Sequence, residues 1–134
     1  MKLSKKSEYA CLAMIDLTEH YDAECVKIFD ISVRKSIPKK FLEQILIVLK
    51  NAGYVKSKKG ADGGYKLNKD PREIMLAEVI RLMDGALAPV ESASTYFYVT
   101  TPSEQHKKLM VVFKDIRDYI AKKLESTSFY DITR

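Results

Sequence analysis

Two short helical patterns followed by a glycine-rich reversal, all within residues 28–67, constrain the fold of this chain most. Residues 28–35 predict a short helix and residues 38–51 a longer one, because apolar side chains recur at helical spacing in both. Pro38 suits the first turn of the second helix, where its missing N–H would have no partner within the helix. Two short helices joined by a tight turn are typical of a helix-turn-helix. The predicted core stripe of the second helix is Phe41, Leu42, Ile45, Leu46 and Leu49.

A β-hairpin is predicted directly after the second helix. Residues 54–59 and 65–68 read as its two strands, and three of the five residues between them are glycines. Glycine tolerates positive φ, so this segment can reverse the chain tightly. Lysines flank the reversal, which makes the hairpin a basic wing. A phosphate-binding loop is not predicted here, since the segment joins two strands and lacks the Gly-Lys-Ser/Thr ending.

The charge of the chain is spread unevenly. Residues 34–69 contain ten basic and two acidic side chains, a net charge of +8, whereas residues 70–134 contain nine basic and ten acidic ones. A basic first half and a nearly neutral second half indicate a module that binds a polyanion, joined to a segment with another role. A solvated basic surface without a ligand is the alternative that charge alone leaves open.

The first turn of the second helix and the wing supply the candidate DNA contacts. An α-helix fits the major groove, and its N-terminal residues reach the base edges. Glu43 lies one turn further on and can accept a hydrogen bond from a cytosine amino group. A single lysine is more suited to phosphate than to base reading, but the group as a whole favours nucleic acid. The predicted DNA-binding residues are Lys5, Ser36, Pro38, Lys39, Lys40, Glu43, Lys56, Lys58, Lys59, Gly60, Gly63 and Gly64.

Two further helices frame this basic region. Ser4 can cap a first helix that runs to about His20. Another helical pattern begins at Asp70, which precedes a proline, and ends near Gly85. We therefore predict that residues 1–85 form a winged helix-turn-helix domain, mainly α-helical with a small β-wing.

The C-terminal part is predicted to regulate and to dimerise. Residues 86–102 contain two prolines and a Ser/Thr/Tyr mixture, and a loop of this length is usually functional or mobile. A long amphipathic helix is predicted for residues 103–126, starting at Ser103. A second copy of the chain is the simplest partner that could bury the apolar face of this helix. Residues 127–134 form a tail whose apolar residues Phe129, Tyr130 and Ile132 indicate that it docks. The predicted dimerisation residues are Leu109, Phe113, Ile116, Ile120 and Leu124.

The two cysteines are too few for a disulfide framework. Cys11 falls within the first helix, whereas Cys25 falls in a loop next to the helix-turn-helix. Lys27 would favour a reactive Cys25 thiolate and Glu24 would oppose it, so Cys25 is a candidate redox thiol with an unreactive structural cysteine as the alternative.

Several classes of protein are not expected. No apolar run approaches the roughly 20 residues that span a bilayer. The N-terminal segment lacks the features of a secretory signal. No nucleophile elbow, phosphate-loop motif or metal-spaced His/Cys pair is present. We therefore expect a cytoplasmic protein that is not an enzyme, binds no metal and has no membrane partner.

Four segments together resemble the Rrf-two (Rrf2) family of bacterial transcription regulators. They are Lys-Leu-Ser at 2–4 with Tyr-Ala at 9–10, Phe-Leu-Glu-Gln-Ile at 41–45, Asn-Ala-Gly-Tyr-Val at 51–55, and Lys-Gly-Ala-Asp-Gly-Gly-Tyr-Lys-Leu at 59–67. The resemblance covers residues 1–85 well and extends loosely through the long helix. It implies a winged-helix homodimer that binds inverted repeats near promoters, with the helix at 103–125 crossing to the partner subunit.

The sequence departs from the cluster-bearing members of this family. Those members carry three cysteines in the loop that corresponds to residues 90–105, where this chain has none and where Ser92 and Glu104 fall near the expected positions. Because thiolates are the main ligands of iron–sulfur clusters, no conventional cluster is expected. The chain then resembles the cluster-lacking, CymR-type branch, in which a regulatory protein or a thiol can supply the signal. An unusual site built from Glu8, Glu104 or His106 is the alternative.

These inferences predict a homodimeric repressor that blocks promoters by occupying two successive major grooves. A small-molecule effector or a regulatory protein would act through the loop at 86–102. The two rival functions are a non-specific nucleic-acid-binding module, including one for RNA, and a winged helix that binds another protein.

Overall fold

Three helices come first, then a two-stranded hairpin, then two more helices, and the computed structural model describes all residues from Met1 to Arg134. Three short 3₁₀ turns lie at Pro71–Glu73, Glu91–Ala93 and Pro102–Gln105. The elements are α1 (Lys5–Glu19), α2 (Ile28–Lys35), α3 (Lys39–Asn51), β1 (Val55–Lys58), β2 (Gly64–Leu67), α4 (Leu76–Asp84) and α5 (Lys107–Glu125).

The predictions for α1, α2 and α3 are confirmed. The Ser4 hydroxyl accepts a hydrogen bond from the Ser7 N–H at 3.1 Å and so caps α1, which ends before His20. Gly53 follows α3 with a φ of +86°, a conformation that glycine adopts without strain. Ser4 therefore sets where α1 begins, and Gly53 marks where the chain leaves α3.

The predicted core stripe of α3 is right except at its first residue. Leu42, Ile45, Leu46 and Leu49 are fully buried. Phe41 is 38% exposed, and its ring meets the ring of Tyr9 edge-on, with the centroids 5.3 Å apart. Each residue advances about 100° around a helix, so a side chain one position before Leu42 points away from the core.

The hairpin is antiparallel, with Val55 opposite Leu67 and Lys58 opposite Gly64. The first strand is shorter than predicted, and the second has the predicted length but begins one residue earlier. Outside the hairpin, Val26 forms a single bridge with Tyr65, in which the two residues exchange backbone hydrogen bonds of 2.8 and 2.7 Å. A Cβ at Gly64 would lie 2.4 Å from the Val26 carbonyl oxygen, so only glycine permits this close approach.

Two predicted helices begin later than expected. The helix predicted from Asp70 is a 3₁₀ turn followed by α4, because the extended residues between them pair with the C-terminal tail. The long helix begins at Lys107 and not at Ser103. Residues 102–105 form a separate 3₁₀ turn, and His106 has non-helical φ and ψ of −116° and 88°.

The C-terminal tail docks as predicted and completes the core. The Phe129 N–H donates to the Ile74 carbonyl at 3.0 Å, and the Leu76 N–H donates to the Thr127 carbonyl at 2.9 Å. The Phe129 side chain is fully buried in the same cluster as the inner faces of α1 and α3, whereas Tyr130 and Ile132 are exposed. None of the helices is long and apolar enough to cross a membrane.

Candidate DNA interface

The first turn of α3 is exposed, basic and uncapped. Pro38 is the N-cap residue and provides no side-chain hydrogen bond, so the N–H groups of the first turn have no partner within the chain. Lys39 and Lys40 are exposed beside these N–H groups, and neither forms an ion pair. Unpaired N–H groups, the positive end of the helix dipole and two ammonium groups are the chemical features that favour binding of a phosphate group.

The turn between α2 and α3 is held in one conformation. Ser36 has a φ of 55°, the only positive φ outside glycine, and it ends α2. The Ser32 hydroxyl donates to the Ile37 carbonyl at 2.5 Å, and the Ile37 side chain is buried. An anchored turn of this kind fixes the angle at which the first turn of α3 is presented to a ligand.

The N-terminus of α1 lies beside the first turn of α3. The Lys5 ammonium group lies 5.9 Å from the centre of the Tyr9 ring, and that ring contacts Phe41. Lys5 also lies 3.6 Å from the Glu8 carboxylate, in an exposed ion pair. Through the Tyr9 ring, the predicted residue Lys5 is thereby connected to Phe41 in the first turn of α3.

The lysines of the wing and of the loop before α2 are of two kinds. Lys56, Lys58 and Lys59 are exposed and have no acidic partner. By contrast, the Lys27 ammonium group donates to the Ala61 carbonyl at 2.5 Å, and Lys66 donates to the Ala23 carbonyl at 3.1 Å. The first three are available to a ligand, and the last two fasten the wing to the loop before α2.

The predicted wing glycines contribute through their backbone. Gly60 has a φ of +102°, and a Cβ at Gly63 would lie 2.2 Å from the Lys58 carbonyl oxygen. Together with Gly64 they give the turn its shape and keep the tip of the wing narrow. Glu43, the predicted base reader, is exposed on α3 one turn after Lys39.

Sequence reasoning missed an ion pair that supports this surface. The Asp16 carboxylate is fully buried and accepts from the Arg34 guanidinium at 2.9 and 3.0 Å, with the His20 Nδ1 3.4 Å away. Hydrogen bonding to this carboxylate raises the pKa of Arg34. The pair joins α1 to the last turn of α2, next to the turn that presents α3. The sequence could have indicated this pair, because Asp16 lies three residues after Ala13 and therefore on the buried face of α1.

The predicted dimerisation residues of α5 fall into two groups. Leu109 is exposed, and Phe113 and Ile116 are half-buried. Ile120 and Leu124 pack against a small cluster of their own chain. The cluster that Ile120 and Leu124 pack against consists of Ala77, Ile80 and Leu87. Other apolar side chains along α5 are exposed, namely Val111, Val112 and Tyr119.

Both cysteines are free thiols, and each is half-buried. Burial raises the pKa of Cys11 to about 11, and the nearby carboxylate of Asp84 adds to the increase. Cys25 lies in the loop directly before the bridge of Val26 to Tyr65, so the structure places the candidate redox thiol beside β2 of the wing.

The comparison with protein families matches residues 3–134 to one family, described as "Rrf2: Iron-dependent Transcriptional regulator". Among curated proteins, the chain is 33% identical over 132 residues to the HTH-type transcriptional regulator CymR of Bacillus subtilis, covering 98% of this chain and 89% of that protein. It is 43% identical over 87 residues to the regulator IscR of Photorhabdus laumondii, covering 65% of this chain and 53% of that protein.

The residues of this chain do not fit the iron that the family description names. No three His, Cys, Asp or Glu side chains lie close enough to hold a metal ion together. The segment from 86 to 106 contains no cysteine, and the side chains that meet there at the start of α5 include Ser92, Tyr98, Glu104 and Lys107. An ammonium group repels a cation, and thiolates are the main ligands of iron–sulfur clusters.

Solved structures share the whole fold of the chain. The structure of CymR, the global cysteine regulator of B. subtilis, has a TM-score of 0.79 and 30% identity, covering 99% of this chain and 96% of that one. IscR of T. potens has a TM-score of 0.76 and 30% identity, covering 98% of this chain and 85% of that one. The helix-turn-helix, the wing and the family match over nearly the full length agree, and this chain belongs to the Rrf2 family of DNA-binding transcriptional regulators.

Proposed function

We propose that this protein is a homodimeric repressor that binds an inverted repeat near promoters. The observation that carries the proposal is the uncapped first turn of α3, with Lys39 and Lys40 exposed beside a wing that has three unpaired lysines. A helix presented in this way fits a major groove, and the wing lysines then lie against phosphates or in the adjacent minor groove. Occupying the promoter excludes the transcription machinery, so steric repression needs no further activity.

The dimer is proposed from the open face of α5. This helix is about 28 Å long, and Leu109, Val112 and Phe113 along it are covered only in part by their own chain. A second copy of the chain would bury this face and present two α3 helices. A symmetric pair matches an inverted repeat whose half-sites lie roughly one helical turn, about 34 Å, or a multiple of it, apart.

The segments of the chain divide this work among them. In the proposal, residues 1–85 bind DNA, residues 86–102 form a regulatory loop, residues 103–126 dimerise and residues 127–134 are the docked tail. The protein would act in the cytoplasm, where its DNA lies. A signal, carried by a small molecule or by a regulatory protein, would change the spacing of the two α3 helices by moving the loop against α5.

Selection of bound fragments from the sheared genomic DNA of the host tests the proposal. We expect enrichment of one inverted repeat upstream of a few genes, lost in the variant K39A/K40A and kept in the matched variant K122A/K123A, whose lysines are exposed at the far end of α5. Salt-sensitive binding without enrichment would replace the proposal with non-specific binding. Absence of DNA binding together with capture of a protein would favour a protein-interaction module.

Transcription in vitro from an enriched promoter separates repression from activation. The purified protein is expected to lower the transcript in proportion to occupancy of the repeat, and K39A/K40A is expected to have no effect. An increase in transcript would overturn the repressor assignment while leaving sequence-specific binding in place.

A further inference from the structure

A cavity of about 530 Å³ lies between the loop after α4 and the first three turns of α5. Its volume is within the range of pockets that hold small molecules. The DNA interface described above lies on α1, α3 and the wing and uses none of the residues that line this cavity.

The charge at the mouth of the cavity is positive. Lys107 and Lys114 lie two turns apart on one face of α5, and neither has a carboxylate within 4 Å. Glu104 is the only acidic residue in the lining, and the hydroxyl of Tyr98 donates a hydrogen bond to it. Two unpaired ammonium groups against one engaged carboxylate favour an anionic ligand over a cation.

The floor of the cavity combines one polar group with an apolar surface. Met110 is almost fully buried, and Val111 continues the apolar strip toward the mouth. Ser92 is also buried, and its hydroxyl shares a hydrogen bond of 2.6 Å with the hydroxyl of Thr101. A ligand that fits has an anionic head for the lysines and a short apolar stem for Met110.

We propose that this cavity binds a small organic carboxylate, with Lys107 and Lys114 on its anionic head and Met110 and Val111 along its stem. The carboxylate gains two charge-assisted contacts, and the stem is removed from water. Inorganic anions lack a stem and bind more weakly. Metal ions are repelled by the same lysines.

The cavity is connected to the DNA-binding part of the chain. The Arg117 guanidinium of α5 donates to the Ala93 carbonyl at 3.1 Å and so fastens the loop to α5. Further along the loop, the ring of Tyr96 lies 4.7 Å from the Arg81 guanidinium of α4, which also pairs with Glu125 at 2.6 Å. A ligand that draws the loop onto α5 therefore moves a segment that contacts α4. The role of this ligand as an effector of DNA binding rests on the proposed function.

Titration of the full-length protein with hexanoate, followed by NMR of its amide groups, tests binding without DNA. We expect saturable shifts at residues 92–114, with hexanamide, the uncharged analogue, and acetate, which lacks the stem, each at least about tenfold weaker. The variant K107Q/K114Q should lose hexanoate binding by a similar factor, and K122Q/K123Q should retain it. The proposal is overturned by absence of saturable shifts, or by equal binding in K107Q/K114Q.

Binding to an operator fragment at constant ionic strength tests the effector role. Hexanoate is expected to change the DNA affinity of the wild type about fivefold or more and to leave that of K107Q/K114Q unchanged. If hexanoate binds and DNA affinity stays the same, the site stands and its effector role is overturned. If hexanoate binds to a protein without specific DNA binding, the proposed function fails and the carboxylate site does not.

Discussion

At the scale of single residues, the partners of the lysines decide what each lysine does. Lys27 and Lys66 donate to backbone carbonyls and hold the wing in place. Lys56, Lys58 and Lys59 have no such partner and extend into solvent. A sequence presents all five as equivalent basic residues, and only the folded chain separates the structural cations from those that a phosphate can reach.

Replacing Lys59 with alanine should weaken DNA binding to a similar extent for all sequences. Each phosphate contact releases counterions, so the slope of log K against log salt should decrease by about 1 in K59A. Measuring affinity for one operator and one random fragment over a range of salt gives both slopes. An unchanged slope would remove Lys59 from the phosphate contacts, and K122A is the matched control for loss of one charge.

Replacing Glu43 with alanine should relax base preference more than it weakens binding. Glu43 is exposed one turn into α3, where a carboxylate can accept from a cytosine amino group in the major groove. Repeating the fragment selection with E43A should give a motif that is degenerate at one position of each half-site, with a loss of discrimination of about 1–3 kcal/mol. An identical motif for wild type and E43A would show that Glu43 is not a base reader.

The two thiols should differ in their reaction with iodoacetamide. Burial raises the pKa of Cys11 to about 11, above the value of about 8.5 for a free thiol, so at neutral pH its thiol stays protonated and unreactive. Burial of the neutral Cys11 thiol contributes fully to the free energy of unfolding at pH values below the pKa that this thiol has in the unfolded chain. That contribution is lost as pH rises through about 11. Peptide mapping at neutral pH should find Cys25 modified first. Equal rates at the two cysteines would contradict the protected environment of Cys11.

At the scale of elements, the tail is what completes the winged helix. Ile74 and Met75 are extended because the segment 74–76 pairs with residues 127–129, and this pairing separates the 3₁₀ turn at 71–73 from α4. Phe129 then fills the core between α1 and α3. The last eight residues of the chain are thus part of the same folding unit as the first nineteen.

Truncating Phe129 should therefore destabilise the whole domain. F129A removes a fully buried aromatic side chain, and substitutions of this kind lower the free energy of unfolding by about 3–5 kcal/mol. Urea denaturation followed by circular dichroism measures the change. Ile132, three residues later and exposed, provides the control, since I132A should change stability by less than about 0.5 kcal/mol. Similar losses in both variants would mean that Phe129 does not anchor the tail.

Patterns local in sequence predicted most elements, and contacts between distant residues explain the rest. The apolar periodicity of α1, α2 and α3 lies within each segment, and so do the Ser4 cap of α1 and the glycine-rich turn. The late start of α4 depends on strand-like pairing with a tail more than fifty residues away, which no local pattern reports. Asp16 was missed for the same reason, because its partner Arg34 belongs to another helix.

At the scale of the whole molecule, α5 links the two proposed activities. One side of α5 faces the cavity through Lys107 and Met110, and another side leaves Leu109 and Val112 open. Its C-terminal end packs on α4, so α5 directly contacts the segment that we propose binds DNA. A dimer formed on the open side would therefore transmit a movement of α5 to both α3 helices at once.

Charges placed on the open side of α5 should separate the dimer. L109D/V112D puts two carboxylates where a second copy would bury apolar side chains, which are 41% and 52% exposed in one chain. We expect a monomer by sedimentation velocity with an unchanged circular dichroism spectrum. Binding to a single half-site should be retained, and the additional affinity for the inverted repeat should be lost because the two half-sites are then bound independently.

The matched control for this variant is an exposed valine on another side of the same helix. Val111 is 58% exposed, and it lines the cavity instead of the open side. V111D introduces a carboxylate next to Lys107 and Lys114, so it should remain dimeric and lose affinity for hexanoate. If the dimer persists in L109D/V112D, or if V111D disrupts it equally, the dimer interface lies elsewhere. Either result would also contradict coupling of the cavity to DNA binding through the open side of α5.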